Sequence, residues 1–272
     1  MRPALEGKCT PETAVSECSV IDERRLMSAL SGKRALVTGG SRGIGAAIVL
    51  TLADHGADVA FTFERSTGPA QEILDRIQRA GRAGFAIQAD FSEATAVRDS
   101  VHEAARVLGG LDILVSNAAI VRFSSIEDIK ADDIEALFRV NFQAPILAAS
   151  AAISHLSAGG RIVIVGSAGA DRTVGEGGVV YSMTKRALQS LTHGLARELG
   201  PKNITVNLVQ PGSTDTDSNP STSEFADFQR DLIPLGRYGS PDDVAAGVAF
   251  LASPAASQVT GATLNIDGGL NT

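Results

Sequence analysis

Tryptophan is absent from this 272-residue chain and aromatics make up only 4% of it, so any core must be packed from alanine, valine, isoleucine and leucine. Cysteine is nearly missing as well: Cys9 and Cys18, both near the start, are the only two. A disulfide between them would staple only a tail, and two free thiols are the simpler reading. A chain otherwise without cysteine fits a reducing compartment, so a cytoplasmic location is expected. Long hydrophobic runs are missing too; stretches such as 162–165 are strand-sized, and no membrane span is expected. Positive charge is in deficit, with 24 Lys and Arg against 31 Asp and Glu for a net −7. That leaves no basic face to displace counterions from nucleic acid, although a local cationic site for a small anion is compatible with it. His55, His102, His155 and His193 form no close pair with a glutamate. No metal site is therefore expected, and these histidines are read mostly as helix-surface residues.

Glycine, by contrast, is abundant at 28 residues, several of them at strand ends, where backbone turns sharply or approaches a ligand. Residues 1–30 have no apolar stretch of signal-peptide type, and charges recur at Glu17, Asp22, Glu23, Arg24 and Arg25. They are read as an N-terminal extension without an assigned role, disordered on one reading, ahead of a single domain over 31–272. Strand patterns at 35–37, 59–63, 85–89, 113–115, 161–165, 204–209 and 263–266 alternate with helical patterns. The helices are expected from the glycine run to about residue 55 and over 71–80, 93–108, 131–156, 181–199 and 241–252. Continuously apolar strands between helices imply a parallel sheet covered on both faces. The right-handed crossover rule then leaves an α/β, Rossmann-like, doubly wound sheet of about seven strands, which binds ligands beyond the carboxyl ends of its strands.

The first strand runs into Thr38-Gly39-Gly40-Ser41-Arg42-Gly43-Ile44-Gly45 and then into a helix. Glycines let backbone pass close under a pyrophosphate, and a helix N-terminus supplies free N–H donors and the positive end of a dipole. The spacing is G-x-x-x-G-x-G rather than G-x-G-x-x-G, and its place in a βαβ unit carries the reading. At the end of the second strand an Asp would accept a ribose 2′-hydroxyl and repel a phosphate. Phe63 stands there instead, followed by Glu64 and Arg65. Arg42 and Arg65 supply two guanidinium groups for a 2′-phosphate, so NADP is favoured over NAD, with Glu64 the opposing feature.

Tyr181 and Lys185 lie four apart at the start of an amphipathic helix and share a face. A phenol normally titrates near about pH 10; bringing it into the physiological range takes about 4 kcal/mol. A close ammonium in a partly dry cleft, helped by the charge of an oxidised nicotinamide, is expected to provide it. Ser167 ends the fifth strand in Val165-Gly166-Ser167, where its hydroxyl can reach a substrate oxygen, though a serine there is often only a turn residue. Asn141 is a polar residue within an apolar helix, placed either to hold a water near Lys185 or to bond its own helix.

Thr38–Gly45, Ser116-Asn117-Ala118-Ala119, Asn141, Ser167, Tyr181 with Lys185, and Pro211-Gly212 together resemble the short-chain dehydrogenase/reductase family over about residues 31–272. The resemblance implies a Rossmann-like domain, usually a homotetramer, with strand order 3-2-1-4-5-6-7. It implies that Tyr181 is the general acid/base, Lys185 its partner and a ribose ligand, Ser167 the group that orients the carbonyl, and Asn141 the holder of a relay water. It further implies dinucleotide contacts from Gly39, Ser41, Arg42, Gly43, Ile44, Gly45 and Arg65, with Asp90 near the adenine. Asn117 would support the adenosine side, and Pro211, Gly212 and Thr216 would lie beside the nicotinamide. Two departures stand out: Ser116-Asn117-Ala118-Ala119 replaces the usual Asn-Asn-Ala-Gly, and the gap from Ser167 to Tyr181 is one residue longer than in many relatives.

The function implied is NADPH-dependent reduction of a small-molecule ketone, or oxidation of the matching alcohol, with 3-oxoacyl-carrier-protein reductases the nearest-looking relatives. Residues 154–160 lack the basic cluster that an acidic carrier protein would want, which makes a free small or cyclic ketone the rival substrate. A nucleotide-sensing binding protein is a third reading, disfavoured because both Tyr181 and Lys185 are present. The polar segment from Ser213 to about Leu235 is expected to form a mobile lid.

Overall fold

The computed structural model describes residues 29–173 and 175–272, so Cys9, Cys18 and the extension up to residue 28 lie outside the described residues. Seven strands make one parallel sheet: β1 (Arg34–Val37), β2 (Asp58–Phe63), β3 (Gly84–Gln88), β4 (Leu111–Ser116), β5 (Leu156–Val165), β6 (Thr205–Pro211) and β7 (Thr263–Ile266). Their order is β3-β2-β1-β4-β5-β6-β7, the order that the resemblance implies. Helices α1 (Gly43–Asp54), α2 (Thr67–Arg79), α3 (Ala94–Leu108), α4 (Ala131–Ile153), α5 (Val179–Leu199), α6 (Ala226–Asp231) and α7 (Pro241–Ala252) link or follow the strands.

Alternation along the strands divides the core in two. Ala35, Val37, Val163 and Val165 pack with Ile48, Leu52, Ile73, Ile77 and Val248 from α1, α2 and α7. Leu36, Ile162 and Ile164 pack with Val97, Val101, Ala148 and Leu188 from α3, α4 and α5. The inner strands are therefore buried on both faces and read as apolar runs, while the edge strands β3 and β7 are half-buried. Burying each large aliphatic side chain contributes about 1.5–3 kcal/mol, so a core without tryptophan is reached by number rather than size. Leu36 pairs with Ala60 on one side and Leu114 on the other, placing β1 inside the sheet, next to the central β4. The strand order reverses between β1 and β4, and the crevice opens at their carboxyl ends.

Two elements depart from the sequence pattern. Strand β5 begins at Leu156, ahead of the expected start, because its first residues are half-buried or exposed and carry no apolar signal. Within the polar segment after β6, α6 forms a short helix whose only buried residue is Ala226. Helix α4 also holds more than expected. It is a 23-residue helix whose most apolar 18-residue stretch has mean hydropathy 1.3, long and apolar enough by composition to cross a membrane; no other among the described residues is. Its Ala144, Ala148 and Ala152 pack into the core against the sheet. Its middle turns, Phe138–Gln143, are wound as a π-helix, an irregularity that concentrates at functional sites.

His102 on α3 and His155 beyond α4 are not isolated surface residues. Their Nδ1 and Nε2 atoms lie 2.8 Å apart, with the rings edge-to-face. Burial, and then the proximity of His102, push the His155 imidazole below its usual value. The folded state thus prefers neutral His155, and its contribution is complete above about pH 6.5 and lost as pH falls through the lower folded value. Thermal melts taken from about pH 7.5 to about 5 should show His155→Gln losing less stability than the parent. Parallel curves for the two proteins would remove His155 from the acid sensitivity.

Candidate active site

The chain leaves β1 into a turn whose inward polar groups are all used. Thr38 Oγ1 accepts from the backbone N–H groups of Asn117 and Ala118, each at 2.9 Å. The Asn117 amide donates to the carbonyls of Thr38 (2.9 Å) and Gly39 (3.1 Å), while Gly39 N–H donates to Thr62 Oγ1 at 2.9 Å. Asn117 therefore sits beneath the turn as its brace. Gly39 has φ +67°, the left-handed region that favours glycine. A Cβ on Gly45 would fall onto the Gly39 carbonyl oxygen and 2.6 Å from the Asn117 amide nitrogen.

On the open side, α1 starts after Arg42 with no side-chain cap and no acidic residue in its first turn. The leading N–H groups of Gly43, Ile44 and Gly45 are thus left for an external anion, and the dipole favours one. A narrow, cap-free helix start reached through glycines fits a dinucleotide pyrophosphate. Ser41 is buried and Arg42 exposed at its edge.

Toward the adenosine side, Phe63 closes β2, and Arg65, 87% exposed, pairs with Glu64 at 2.8 Å. A surface pair of this kind is worth at most about 1 kcal/mol, so Arg65 is easily redirected. Asp90, exposed after β3, accepts from Ser92 N–H (2.8 Å) and Oγ (2.7 Å). Those bonds, with a smaller contribution from Arg65, hold its carboxyl below the usual range.

The second cluster lies at the ends of β5 and β6. Ser167 is extended, and its Oγ accepts from Gly169 N–H at 3.1 Å. Tyr181 and Lys185 enter on the first turns of α5, and the buried Lys185 Nζ donates to the Val165 carbonyl at 3.2 Å. The Ser167 hydroxyl lies close enough to the Tyr181 phenol to favour its ionised form. Asn141, fully buried, neither bonds its own helix nor touches Lys185. Its amide accepts from Ile120 N–H (2.9 Å) and donates to Ile120 O (2.8 Å) and Thr184 Oγ1 (3.4 Å). Thr184 in turn donates to Tyr181 O at 2.7 Å, so the π-helical turn, the loop after β4 and the start of α5 are tied together.

Pro211 ends β6, and Gly212 leaves no room for a side chain, since a Cβ would lie 2.6 Å from Asp267 Cα. Thr216 reaches back to the glycine turn, its Cγ2 3.5 Å from where a Cβ on Gly43 would sit. The far end of the segment after β6 is strapped to the C-terminal residues. Leu235 N–H donates to Gly268 O at 3.1 Å, and Ile233 packs with Leu270 and Ala168. Arg172 donates to Leu270 O and Asn271 to Ala168 O, each at 3.1 Å.

The electrostatics differ from the sequence expectation. Burial pushes the Tyr181 phenol above its usual value, and the Ser167 hydroxyl opposes that shift without reversing it. Lys185 is itself buried, and burial lowers its ammonium to about 8. Lys185 is not among the groups that shift the phenol; its ammonium is turned to the Val165 carbonyl, and burial alone sets the direction for both side chains.

Sheet, glycine turn and carboxyl-edge cluster define the frame of a dinucleotide-dependent oxidoreductase. A family model described as enoyl-(acyl carrier protein) reductase matches residues 39–271. A short-chain dehydrogenase from Burkholderia cenocepacia J2315, solved in complex with NADP, is 52% identical with a TM-score of 0.89, covering 90% of this chain and 100% of that one. The cyclic-di-GMP-binding biofilm dispersal mediator protein of Escherichia coli (strain K12) is 44% identical over 89% of this chain and 98% of its own length. A versicolorin reductase from Emericella nidulans is 40% identical over 88% and 96%. The chain belongs to the short-chain dehydrogenase/reductase family; it is an NAD(P)-dependent oxidoreductase acting at CH–OH groups.

Sequence reasoning does not reach Thr184 as a link or Phe123 as a neighbour of Tyr181, their ring centroids 5.9 Å apart. Phe123 lies in a loop with no periodicity, and the only signal for it is an aromatic in a chain that has few.

Proposed function

We propose that this protein reduces a ketone with NADPH, and oxidises the corresponding secondary alcohol in reverse. The observation that carries the reading is the half-buried Tyr181 phenol, close to Ser167 and one helical turn from the buried Lys185. Bound reduced nicotinamide supplies the hydride. Ser167 orients the carbonyl oxygen by a hydrogen bond, and Tyr181 donates its proton to that oxygen. Lys185 places positive charge beside the phenol as it gives up the proton, and Asn141 holds the loop after β4 against α5. A phenol held above its usual value remains a proton donor at neutral pH, which suits reduction.

Preference for NADPH rests on Arg42, Arg65 and the absence of an Asp at Phe63. Arg42→Ala should raise KM for NADPH about tenfold or more while that for NADH changes little. Equal changes for both cofactors in steady-state assays would assign Arg42 to the pyrophosphate instead.

Exposed Phe138 and Ile146 on α4 and Val179 and Met183 on α5 support assembly as the homotetramer usual in the family; the scarcity of cysteine is what supports a cytoplasmic location. A cofactor-dependent binding role without turnover is the second reading, prompted by the cyclic-di-GMP-binding relative. Assays of NADPH oxidation with ketones and an acyl thioester separate the two: turnover of any supports the enzyme, and turnover of none supports the sensor.

A further inference from the structure

The loop between β4 and α4 exposes Val121 (41%), Phe123 (64%) and Ile126 (66%) within six residues. Single exposed apolar residues are ordinary, but three together beside a candidate reaction centre are not. The loop is held in this state at two points. Asn141 takes both backbone groups of Ile120, and Ser124 N–H donates to Gly177 O at 3.1 Å. Gly177, at φ +79°, approaches so closely that a Cβ would lie 2.8 Å from Ser124 N. Between these anchors the Phe123 ring stands tilted by 58° against that of Tyr181, 5.9 Å between centroids.

Some of the polar side chains of the same loop are engaged locally. Arg122 donates to Val121 O at 3.1 Å and pairs with Asp133 at 3.6 Å. Ser125 donates to Asp128 at 2.6 Å. Beside Tyr181 itself the loop presents the Phe123 ring rather than a polar group.

We propose that Phe123 is a specificity-determining residue, and that the substrate is a ketone carrying an aromatic ring a short way from its carbonyl. This rests on the ketone-reductase reading above. The substrate ring packs against Phe123 while its carbonyl oxygen meets Ser167 and Tyr181. Ring pairs contribute about 0.5–1.5 kcal/mol beyond area burial, or about a two- to tenfold preference.

The test compares kcat/KM with NADPH for benzylacetone and its ring-hydrogenated analogue, in which the ring is insulated from the carbonyl, alongside a ketose and an acetoacetyl thioester. The wild type should favour the aromatic member of the pair about five- to tenfold and both over the polar substrates. Phe123→Tyr should keep the preference and Phe123→Ala should bring it below about twofold, with Phe123→Leu between. Thermal shift on adding NADPH checks each variant's fold; if Phe123→Ala fails that check, the wild-type ratio and Phe123→Leu decide. A wild type indifferent to the ring, or a preference surviving in Phe123→Ala, overturns the assignment of Phe123. Turnover of none of the four substrates overturns the ketone-reductase reading, and this proposal with it.

Discussion

Tyr181→Phe should lower kcat for ketone reduction about a thousandfold while keeping most of the thermal shift produced by NADPH. The substitution removes one hydroxyl from a half-buried ring and leaves its packing against Phe123, so the loss measures proton delivery rather than folding. The pH behaviour of the parent follows from the same group. Burial holds the phenol protonated through neutral pH, so reduction is supplied with its proton there. Alcohol oxidation needs the phenolate and should climb as pH rises. A variant keeping more than about a tenth of the parent's rate would transfer the proton to another donor, since acid–base groups are worth at least about a hundredfold.

Lys185→Met should make the protein both more stable and nearly inactive. Burial lowers the ammonium from 10.5 to about 8, which corresponds to about 3 kcal/mol lost by the folded state at neutral pH. Methionine fills similar volume without the charge, at the cost of the Val165 carbonyl's partner, worth about 1 kcal/mol. A net gain of about 2 kcal/mol raises Tm by about 4 °C or more in a domain of this size. The sign can be checked. Because the folded value lies below the unfolded one, the penalty is complete below about 8 and fades as pH rises toward 10.5. The variant's advantage should shrink over the same interval, and kcat should fall about a hundredfold throughout. A lower Tm, or a gain independent of pH, would mean that Lys185 carries no burial penalty.

These two residues mark what is legible in a sequence and what is not. Tyr181, Lys185, Ser167 and the glycine turn are readable because strand order and helical spacing alone send them to one sheet edge. That the sheet is parallel and covered on both faces follows likewise from apolar runs without alternation, whereas the order of β1 to β7 comes from the family resemblance. The direction in which the phenol's pKa moves is unreadable, because it depends on how far Tyr181 is buried. Phe123, the pair of His102 with His155, and the Asn141 bond to Ile120 depend on contacts between distant segments with no periodic signal. The π-helical turn is hidden for a related reason: Phe138–Gln143 has the apolar spacing of ordinary helix, and only the demands of Asn141 distinguish it.

Bonds from Gly268 to the segment after β6, and from Leu270 and Asn271 to the loop after β5, make the final five positions a keystone for the reaction chamber. The glycine turn and its brace, Asn117, make none of these bonds. Damage at the C-terminus would therefore leave a protein that still grips its nucleotide but has lost the wall holding Ser167 in place. An affinity handle fused there loads that wall.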